Sequence, residues 1–347
     1  MTNELFVISL AAPLFFLYRW AFKNLPQERW QVFACIPDTK ICSEHWSGIN
    51  LTYYGIISAS AQLFAVVMLL IMTGAAGIPL TGVLAMLSGI LTCCIPASGI
   101  LARIVEKKRY TLTVGGAFFI GLLVLPAIIW MLNRFTGSFD IPFLPAMAAT
   151  SVAYAFGEGL GRLACISYGC CYGKPLDQCG SLTQKIFAAN HFVFFGKTKK
   201  IAYESNLDGQ RVIPIQAISA VFNTATGLVG LYLFLNSSFG SAFLFSILMI
   251  QVWRLSSETM RKDYRGKGKF SAYQWMCVIG ILYALMIYAL NTAGMSPATS
   301  LPAGLKTLWN PALILALLAL WLIICIRSGL SRVTGSKLSL HINQHRI

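Results

Sequence analysis

Nine apolar stretches, each close to the length of a bilayer crossing, constrain the fold of this sequence more than any other feature. A helix needs roughly 20 apolar residues to span about 30 Å of hydrocarbon, and it satisfies its own backbone hydrogen bonds there. The stretches are residues 5–22, 52–73, 78–101, 114–132, 142–165, 213–235, 240–254, 272–293 and 310–327. The first and seventh are short, so the count is good to about one either way. The sequence predicts an all-α, polytopic integral membrane protein with about nine transmembrane helices.

Composition supports a lipid environment. Of the 347 residues, 56% are hydrophobic and 11% are charged, whereas soluble domains carry about 25% charged residues. The net charge of +15 would suggest nucleic acid in a soluble protein, but here it indicates contact with anionic lipid headgroups. We therefore expect a membrane and no nucleic acid as partners. The first apolar stretch lacks a basic leader and a cleavage site, so we interpret it as structure rather than as a signal peptide.

Basic residues are concentrated on one side of the predicted membrane domain. Nearly all of them fall in the loops 23–50, 102–112, 166–212 and 254–271 and in the tail from 328. The opposite loops contain just Arg134 and Lys306. The positive-inside rule predicts that the basic side faces the cytoplasm. The cysteines on that side would then be reduced thiols; a disulfide between Cys35 and Cys42 on an outer face is the alternative.

The segment 157–175, GEGLGRLACISYGCCYGKP, combines charges, glycines and thiols at the end of an apolar stretch. Glu158 and Arg162 are four residues apart and share a helix face, so each neutralises the other in lipid. Glycines such as Gly169 and Gly173 permit tight turns whose backbone N–H groups bind phosphate. The alternative is an ion pair that only holds two helices together.

A second charged cluster follows the seventh stretch. Arg254 and Glu258 repeat the four-residue spacing, and Arg261 lies beyond them. The planar guanidinium of arginine suits bidentate capture of a phosphodiester, and a nearby glutamate holds its orientation. The alternative is a cytoplasmic anchor of the positive-inside type. Gln216, inside another apolar stretch, is a costly residue that we expect to be paired.

Four cysteines, Cys165, Cys170, Cys171 and Cys179, raise the question of a metal site, because thiolates bind zinc and iron–sulfur clusters. Their spacing matches no zinc pattern, and no histidine is near in sequence. We therefore expect no metal and no cofactor. Activation as nucleophiles by a neighbouring arginine and simple packing are the two remaining interpretations.

These motifs together resemble the prolipoprotein diacylglyceryl transferase family. The segment from Gly161 to Gly173, GRLACISYGCCYG, aligns without a gap with the family signature GRxGNFxNGExxG. Weaker similarities follow in family order along residues 52–293. They are Tyr53-Tyr54-Gly55 with WYG, Gly115-Gly116 with HGG, Pro214 and Gln216 with HPSQLYE, Arg254 and Glu258 with RxxxE, and Ser271 and Gln274 with SxxQ.

Several polar positions of the family pattern are replaced in this chain. Val114 and Ile213 stand where the family has histidines, Cys165 where it has asparagine, and Cys170 where it has glutamate. The family also has its catalytic face outside the cytoplasm, opposite to the orientation predicted by the basic loops.

The resemblance implies an enzyme of the bacterial inner (plasma) membrane that transfers a diacylglyceryl group from phosphatidylglycerol to a cysteine thiol and releases glycerol phosphate. It implies a seven-helix core over 52–293, with one extra helix in each of 1–51 and 294–347. We hypothesise that Arg162 and Arg254 bind the leaving phosphate and that Glu158 and Glu258 orient them. The acceptor, a protein or a small molecule, stays open.

The remaining candidate residues have narrower roles under this hypothesis. Cys165 or Cys170 would replace the missing histidine as a base, or would accept the lipid transiently. The residues expected to bind the phospholipid substrate are Tyr54, Gly115, Gly116, Glu158, Gly169, Gly173, Gln216, Arg261 and Gln274.

Two other functions remain compatible with the sequence. A lipid or anion transporter would use the same arginines without breaking a bond. A catalytically inactive family member acting as a scaffold would explain the missing histidine.

Overall fold

The computed structural model describes residues 2–105, 107, 113–135, 139–263, 270–291 and 298–346. Within these ranges nine helices have 19 or more residues, and three short ones connect them. In chain order the helices are α1 Asn3–Asn24, α2 Tyr53–Ala75, α3 Leu80–Val105, α4 Val114–Phe135, α5 Phe143–Tyr168, α6 Ser181–Phe187, α7 Lys200–Ser205, α8 Ile215–Leu235, α9 Phe239–Ser257, α10 Ala272–Leu290, α11 Leu301–Thr307 and α12 Pro311–Gly329. The long helices lie on the nine predicted stretches.

Among the described residues, eight long helices are apolar enough to cross a membrane. The ninth, α5, lies at the centre, where it packs against α2, α8 and α9. Its small residues allow this close packing: a Cβ on Gly159 would lie 2.4 Å from Thr224 Oγ1 and 3.0 Å from Ala220 O of α8. The predicted polytopic α-helical membrane protein is confirmed.

Both terminal helices pack on this core. In α1, the Tyr18 hydroxyl hydrogen-bonds to Thr224 of α8, and Asn3 donates to Leu235 O at 2.9 Å. Helix α12 lies against α2, where a Cβ on Gly55 would meet Cys325 O at 2.2 Å. Of α12, Leu313 and Gly329 are buried, and the other residues of this helix are partly or fully exposed.

A small antiparallel sheet forms where no strand is expected from the sequence. Its strands are β1 Val32–Lys40, β2 His45–Thr52 and β5 Leu330–Ser339, in the order β1-β2-β5. A separate two-stranded pair joins β3 Phe192–Val193 to β4 Arg211–Val212. The three-stranded sheet therefore ties the loop after α1 to the tail after α12.

The loops predicted to share one side of the membrane contact one another. Phe195 N donates to Pro26 O at 3.1 Å, and Lys174 N donates to Met260 O at 3.0 Å. Segments 108–112 and 264–269 of the predicted basic loops lie outside the described residues. None of the ten cysteines, all of which lie among the described residues, is in a disulfide, so Cys35 and Cys42 are not joined. These loops therefore lie together at one end of the helix bundle. We call the described parts of 23–50, 102–112, 166–212 and 254–271 and of the tail from 328 the basic end.

Candidate active site

The centre of the candidate site is an ion pair on α5. Arg162 Nη2 donates to Glu158 Oε1, and the two side chains are 14% and 4% exposed. The four-residue spacing that predicts this pair brings both groups to one helix face. Because each charge neutralises the other, the bundle interior avoids the cost of an isolated charge, which is at least several kcal/mol.

Tyr154 extends this pair to the second predicted arginine. Its hydroxyl donates to Glu158 Oε2 at 2.9 Å, and Arg254 Nη1 of α9 donates to the same hydroxyl at 3.3 Å. Arg162, Glu158, Tyr154 and Arg254 therefore form one connected group, which we call the arginine network. The two arginines that the hypothesis requires to converge are linked through two intervening side chains.

Tyr154 is not among the residues singled out from the sequence. Its only sequence signal is that it precedes Glu158 by four residues, so that it shares the helix face of Glu158 and Arg162. The ring packs against Phe118 of α4, with centroids 4.1 Å apart. The Arg254 guanidinium lies 5.8 Å from the same Phe118 ring, a distance suited to a cation–π interaction.

The two predicted glycines of α4 have different surroundings. A Cβ on Gly115 would lie 2.6 Å from Arg254 Nη2, so the absence of a side chain makes room for the guanidinium. A Cβ on Gly116 would instead lie 2.6 Å from the Leu101 side chain of α3. Gly115 thus borders the arginine network, whereas Gly116 allows α3 and α4 to pack closely.

Three thiols gather where α5 ends. Gly169 terminates the helix with φ 73° and donates to Cys165 O. The Sγ atoms of Cys165, Cys170 and Cys171 all lie within 4.8 Å of one another. The fourth cysteine of the sequence cluster, Cys179, donates its thiol to Pro175 O at 3.2 Å. We call the first three the thiol cluster.

Gln216 of α8 is hydrogen-bonded to the backbone of the thiol cluster. It is 1% exposed, and its Nε2 donates to Cys170 O at 3.0 Å, which is the pairing expected for a buried amide. Hydrogen bonds from the Cys170 thiol to its neighbours Cys165 and Cys171, together with burial, raise the pKa of Cys170 well above its ordinary value. A protonated thiol is a poor general base, which disfavours that role for Cys170.

The remaining predicted residues make local structural contacts. Tyr54 packs edge-on against Tyr168 at 5.7 Å. Gly173 forms an isolated bridge with Arg261, and Arg261 Nε pairs with Asp263 Oδ1 at 3.0 Å. Gln274 completes the capping box of α10 with Ser271. Glu258 begins the turn that follows α9, and Arg254 donates to Tyr154.

An apolar cavity adjoins the arginine network. It has a volume of about 190 Å³ and is lined by residues of α3, α4, α5 and α9. Its walls include Cys94, Leu122, Met147 and Ile247, and Tyr154 contributes a polar side chain to its lining. The site thus combines an apolar cavity with two nearby cations. A phospholipid is complementary to it, because it has hydrocarbon chains next to a negatively charged phosphate.

Comparison with known proteins identifies the family. The family model for prolipoprotein diacylglyceryl transferase matches residues 44–290. The chain belongs to this family. Its members are transferases, so the resemblance drawn from the motifs is confirmed. The match contains every candidate site residue, and helices α1 and α12 lie outside it.

A curated relative supports the same assignment. Over 139 residues the chain is 27% identical to phosphatidylglycerol–prolipoprotein diacylglyceryl transferase 2 of Clostridium perfringens. The alignment covers 40% of this chain and 48% of the relative. The chain thus matches about half the length of that protein.

Proposed function

We propose that this chain transfers a diacylglyceryl group from an anionic phospholipid, with phosphatidylglycerol as the donor, to a thiol acceptor. The observation that supports the proposal most directly is the arginine network, in which Arg162 of α5 bonds Glu158 directly and Arg254 of α9 is linked to the same carboxylate through Tyr154. The adjoining apolar cavity would hold part of an acyl chain. Binding of a phospholipid requires cations for the phosphate and an adjacent apolar cavity for the acyl chains.

The chemistry follows from the position of these charges. When the bond between the glyceryl carbon and the phosphate oxygen breaks, negative charge increases on the departing glycerol phosphate. Arg162 and Arg254 would stabilise that charge, because preorganised donors in a site with little water act most strongly on charge that develops in the transition state. Glu158 and Tyr154 keep the two guanidinium groups in place before the reaction starts.

The proposal also assigns the surrounding parts of the chain. Residues 52–293 would form the catalytic core, and 1–51 and 294–347 would be additions to it. Glu258, Gly169 and Tyr54 would contribute to the walls of the lipid site rather than to bond breaking. The enzyme would lie in the bacterial plasma membrane with its basic end in the cytoplasm, and the acceptor would then be a thiol on that side.

The test is headgroup release from reconstituted protein. Vesicles contain phosphatidylglycerol labelled in the headgroup glycerol, and a thiol peptide or a small thiol is supplied as acceptor. We expect wild type to release water-soluble glycerol phosphate. Arg254→Ala and Arg162→Ala should lower the rate by about 100-fold or more, which corresponds to about 3 kcal/mol for one lost transition-state donor.

Arg134→Ala is the matched control, because Arg134 is exposed at the far end of α4. Its release rate should equal that of wild type. Unchanged release by Arg254→Ala would refute the proposal. A label that moves between leaflets while remaining in lipid would instead identify a transporter, and no release by wild type with any thiol would support an inactive scaffold.

A further inference from the structure

The proposed function assigns the thiol cluster no part in phosphate binding, yet its three sulfur atoms converge. Consecutive residues of an extended chain direct their side chains to opposite faces, so adjacent cysteines ordinarily diverge. Here Gly169 and Cys171 both have positive φ, 73° and 56° respectively. A left-handed backbone is uncommon for a residue with a side chain. In this left-handed turn, the thiols of Cys170 and Cys171 both lie close to the thiol of Cys165 on the preceding helix.

The separations suit a thiophilic metal ion. Zn–S bonds of about 2.3 Å at tetrahedral angles place sulfur atoms about 3.8 Å apart, and the three Sγ atoms already lie within 4.8 Å of one another. The spacing of the cysteines alone does not predict such a site, because the left-handed turn cannot be predicted from the sequence. Three protein ligands with a fourth position left open are typical of catalytic rather than structural zinc.

Two buried polar atoms beside the cluster lack a partner in the described part of the chain. They are Gln216 Oε1 and Arg162 Nε. Gln216 is attached to the cluster through its bond to Cys170 O, and Arg162 lies three residues before Cys165 on the same face of α5. Buried polar atoms without partners are uncommon in proteins. A ligand bound at the thiols could supply hydrogen-bonding partners for Gln216 Oε1 and Arg162 Nε.

We propose that Cys165, Cys170 and Cys171 bind one thiophilic divalent metal ion, with zinc the best match, and that the open fourth position takes the thiol acceptor. Metal coordination displaces thiol protons, both from protein ligands and from a bound substrate thiol. The ion would therefore generate the nucleophile without a histidine, in a chain that has Val114 and Ile213 at the positions where the family has histidines. This part of the inference rests on the proposed function.

The reaction balances without an oxidant or a reductant. The acceptor thiol loses its proton to solvent on binding the ion. A sulfur lone pair then forms the S–C bond to the glyceryl carbon as the C–O bond to phosphate breaks. The electron pair of that C–O bond leaves on the phosphate oxygen of glycerol phosphate.

Metal binding is tested on the full chain in detergent, without any turnover. The protein is reduced, treated with a chelator, freed of it and titrated with Co²⁺ as a spectroscopic probe. We expect one ion per chain, a sulfur-to-cobalt charge-transfer band in the near ultraviolet, and displacement by Zn²⁺. Cys165→Ser, Cys170→Ser and Cys171→Ser should each weaken binding by more than about tenfold, whereas Cys179→Ser should bind like wild type.

Absence of the band in wild type, or an unchanged band in all three variants, would overturn the metal site. A variant that fails to fold does not decide the question, so a second measurement uses wild type alone. Bound Zn²⁺ should shield three thiols from alkylation, and mass spectrometry should identify them as Cys165, Cys170 and Cys171. Shielding of other cysteines, or none, contradicts the site.

Turnover then separates this inference from the proposed function. Metal binding with no glycerol phosphate release from any thiol would refute the transferase proposal and leave the metal site standing. Unchanged release after complete removal of the ion would overturn the role in acceptor activation. Glycerol phosphate release that is lost when the ion is removed and restored when Zn²⁺ is added supports both the transferase proposal and the role of the metal.

Discussion

The Tyr154 hydroxyl connects Arg254 to the carboxylate of Glu158, which Arg162 contacts directly. It donates to Glu158 and accepts from Arg254, so its removal separates Arg254 from the pair on α5. Tyr154→Phe keeps the ring contact with Phe118. A hydrogen bond to a charged group contributes about 1.5–3 kcal/mol, so we expect release of glycerol phosphate to slow by about tenfold to 100-fold. Rates measured over a range of phosphatidylglycerol densities test this.

Tyr283→Phe is the control for that measurement. The Tyr283 hydroxyl also sits in the bundle, where it donates to Leu123 O at 3.2 Å. Its removal should change the rate by less than about twofold, because the bond does not touch the arginine network. Equal losses in both variants would mean that tyrosine hydroxyls support the bundle in general and that Tyr154 has no special role.

Sequence reasoning recovers part of this site and misses the rest for a physical reason. Glu158 and Arg162 lie on one helix, so helical periodicity alone places them together. The bond from Arg254 to Tyr154 joins residues 100 positions apart, and that contact depends on how α5 and α9 pack. The convergence of the thiols depends on a left-handed turn at Cys171, which a single sequence does not reveal.

At the scale of elements, α4 is positioned so that its first turn lies against the guanidinium of Arg254. A Cβ on Gly115 would come within 2.6 Å of Nη2. Gly115→Ala should therefore displace Arg254 and lower headgroup release by about tenfold or more, with little change in thermal stability, because alanine favours helix. Activity and the unfolding midpoint in detergent are both measured.

Gly89→Ala on the neighbouring helix α3 is the comparison. A Cβ there would approach Ile128 Cγ2 of α4 at 3.2 Å, a small displacement away from both the arginine network and the apolar cavity. It should retain most of the activity. If Gly115→Ala is as active as wild type, the position of Arg254 against α4 has no role in the reaction.

Lys199 connects the ends of two long helices at the basic end. It is fully buried, and its ammonium group donates to Leu25 O after α1 and to Ser167 O near the end of α5. A cation is favoured at helix C-termini, where carbonyl groups lack helical partners. Burial nevertheless lowers the pKa of Lys199 from 10.5 to about 7, while Glu28 acts in the opposite direction.

This pKa predicts how stability depends on pH. Between about pH 7 and 10.5 the unfolded chain binds more protons at Lys199 than the folded chain, so stability rises with pH there. Below pH 7 both states are protonated and the full burial penalty remains. The slope approaches about 1.4 kcal/mol per pH unit for one proton.

Lys199→Met should remove this rise. Unfolding midpoints in detergent, followed from pH 6 to pH 9.5, should increase more steeply in wild type than in the variant. Lys185→Met, at an exposed position of α6, should keep the wild-type slope. Parallel curves for wild type and Lys199→Met would contradict a lowered pKa.

At the scale of the whole molecule, the helices were predictable and the sheet was not. Each long helix carries its own signal, because an apolar run of bilayer length needs no knowledge of its partners. The strand β2 instead pairs with β5 across almost the full chain, with His45 opposite Ser339. Strand pairing at such a separation is determined by where α1 and α12 place the two loops, and α12 lies outside the family match.

The orientation of the basic end decides which acceptors can reach the site. Cys42 is exposed in the turn between β1 and β2, and Lys306 is exposed at the opposite end. In sealed right-side-out membrane vesicles, we expect a membrane-impermeant maleimide to label K306C in a Cys42→Ser background. Native Cys42 should be labelled only after detergent is added, because the positive-inside rule places the basic end in the cytoplasm.

Labelling of Cys42 in sealed vesicles would reverse this orientation. The thiol cluster and the arginine network would then open to the outer side, where the cysteine of an exported prolipoprotein is available as acceptor. With Cys42 protected, an exported cysteine has no access, and the acceptor must be a thiol on the cytoplasmic side. A single labelling experiment therefore assigns the compartment of the acceptor, because the loops that surround the site are joined to the sheet that contains Cys42.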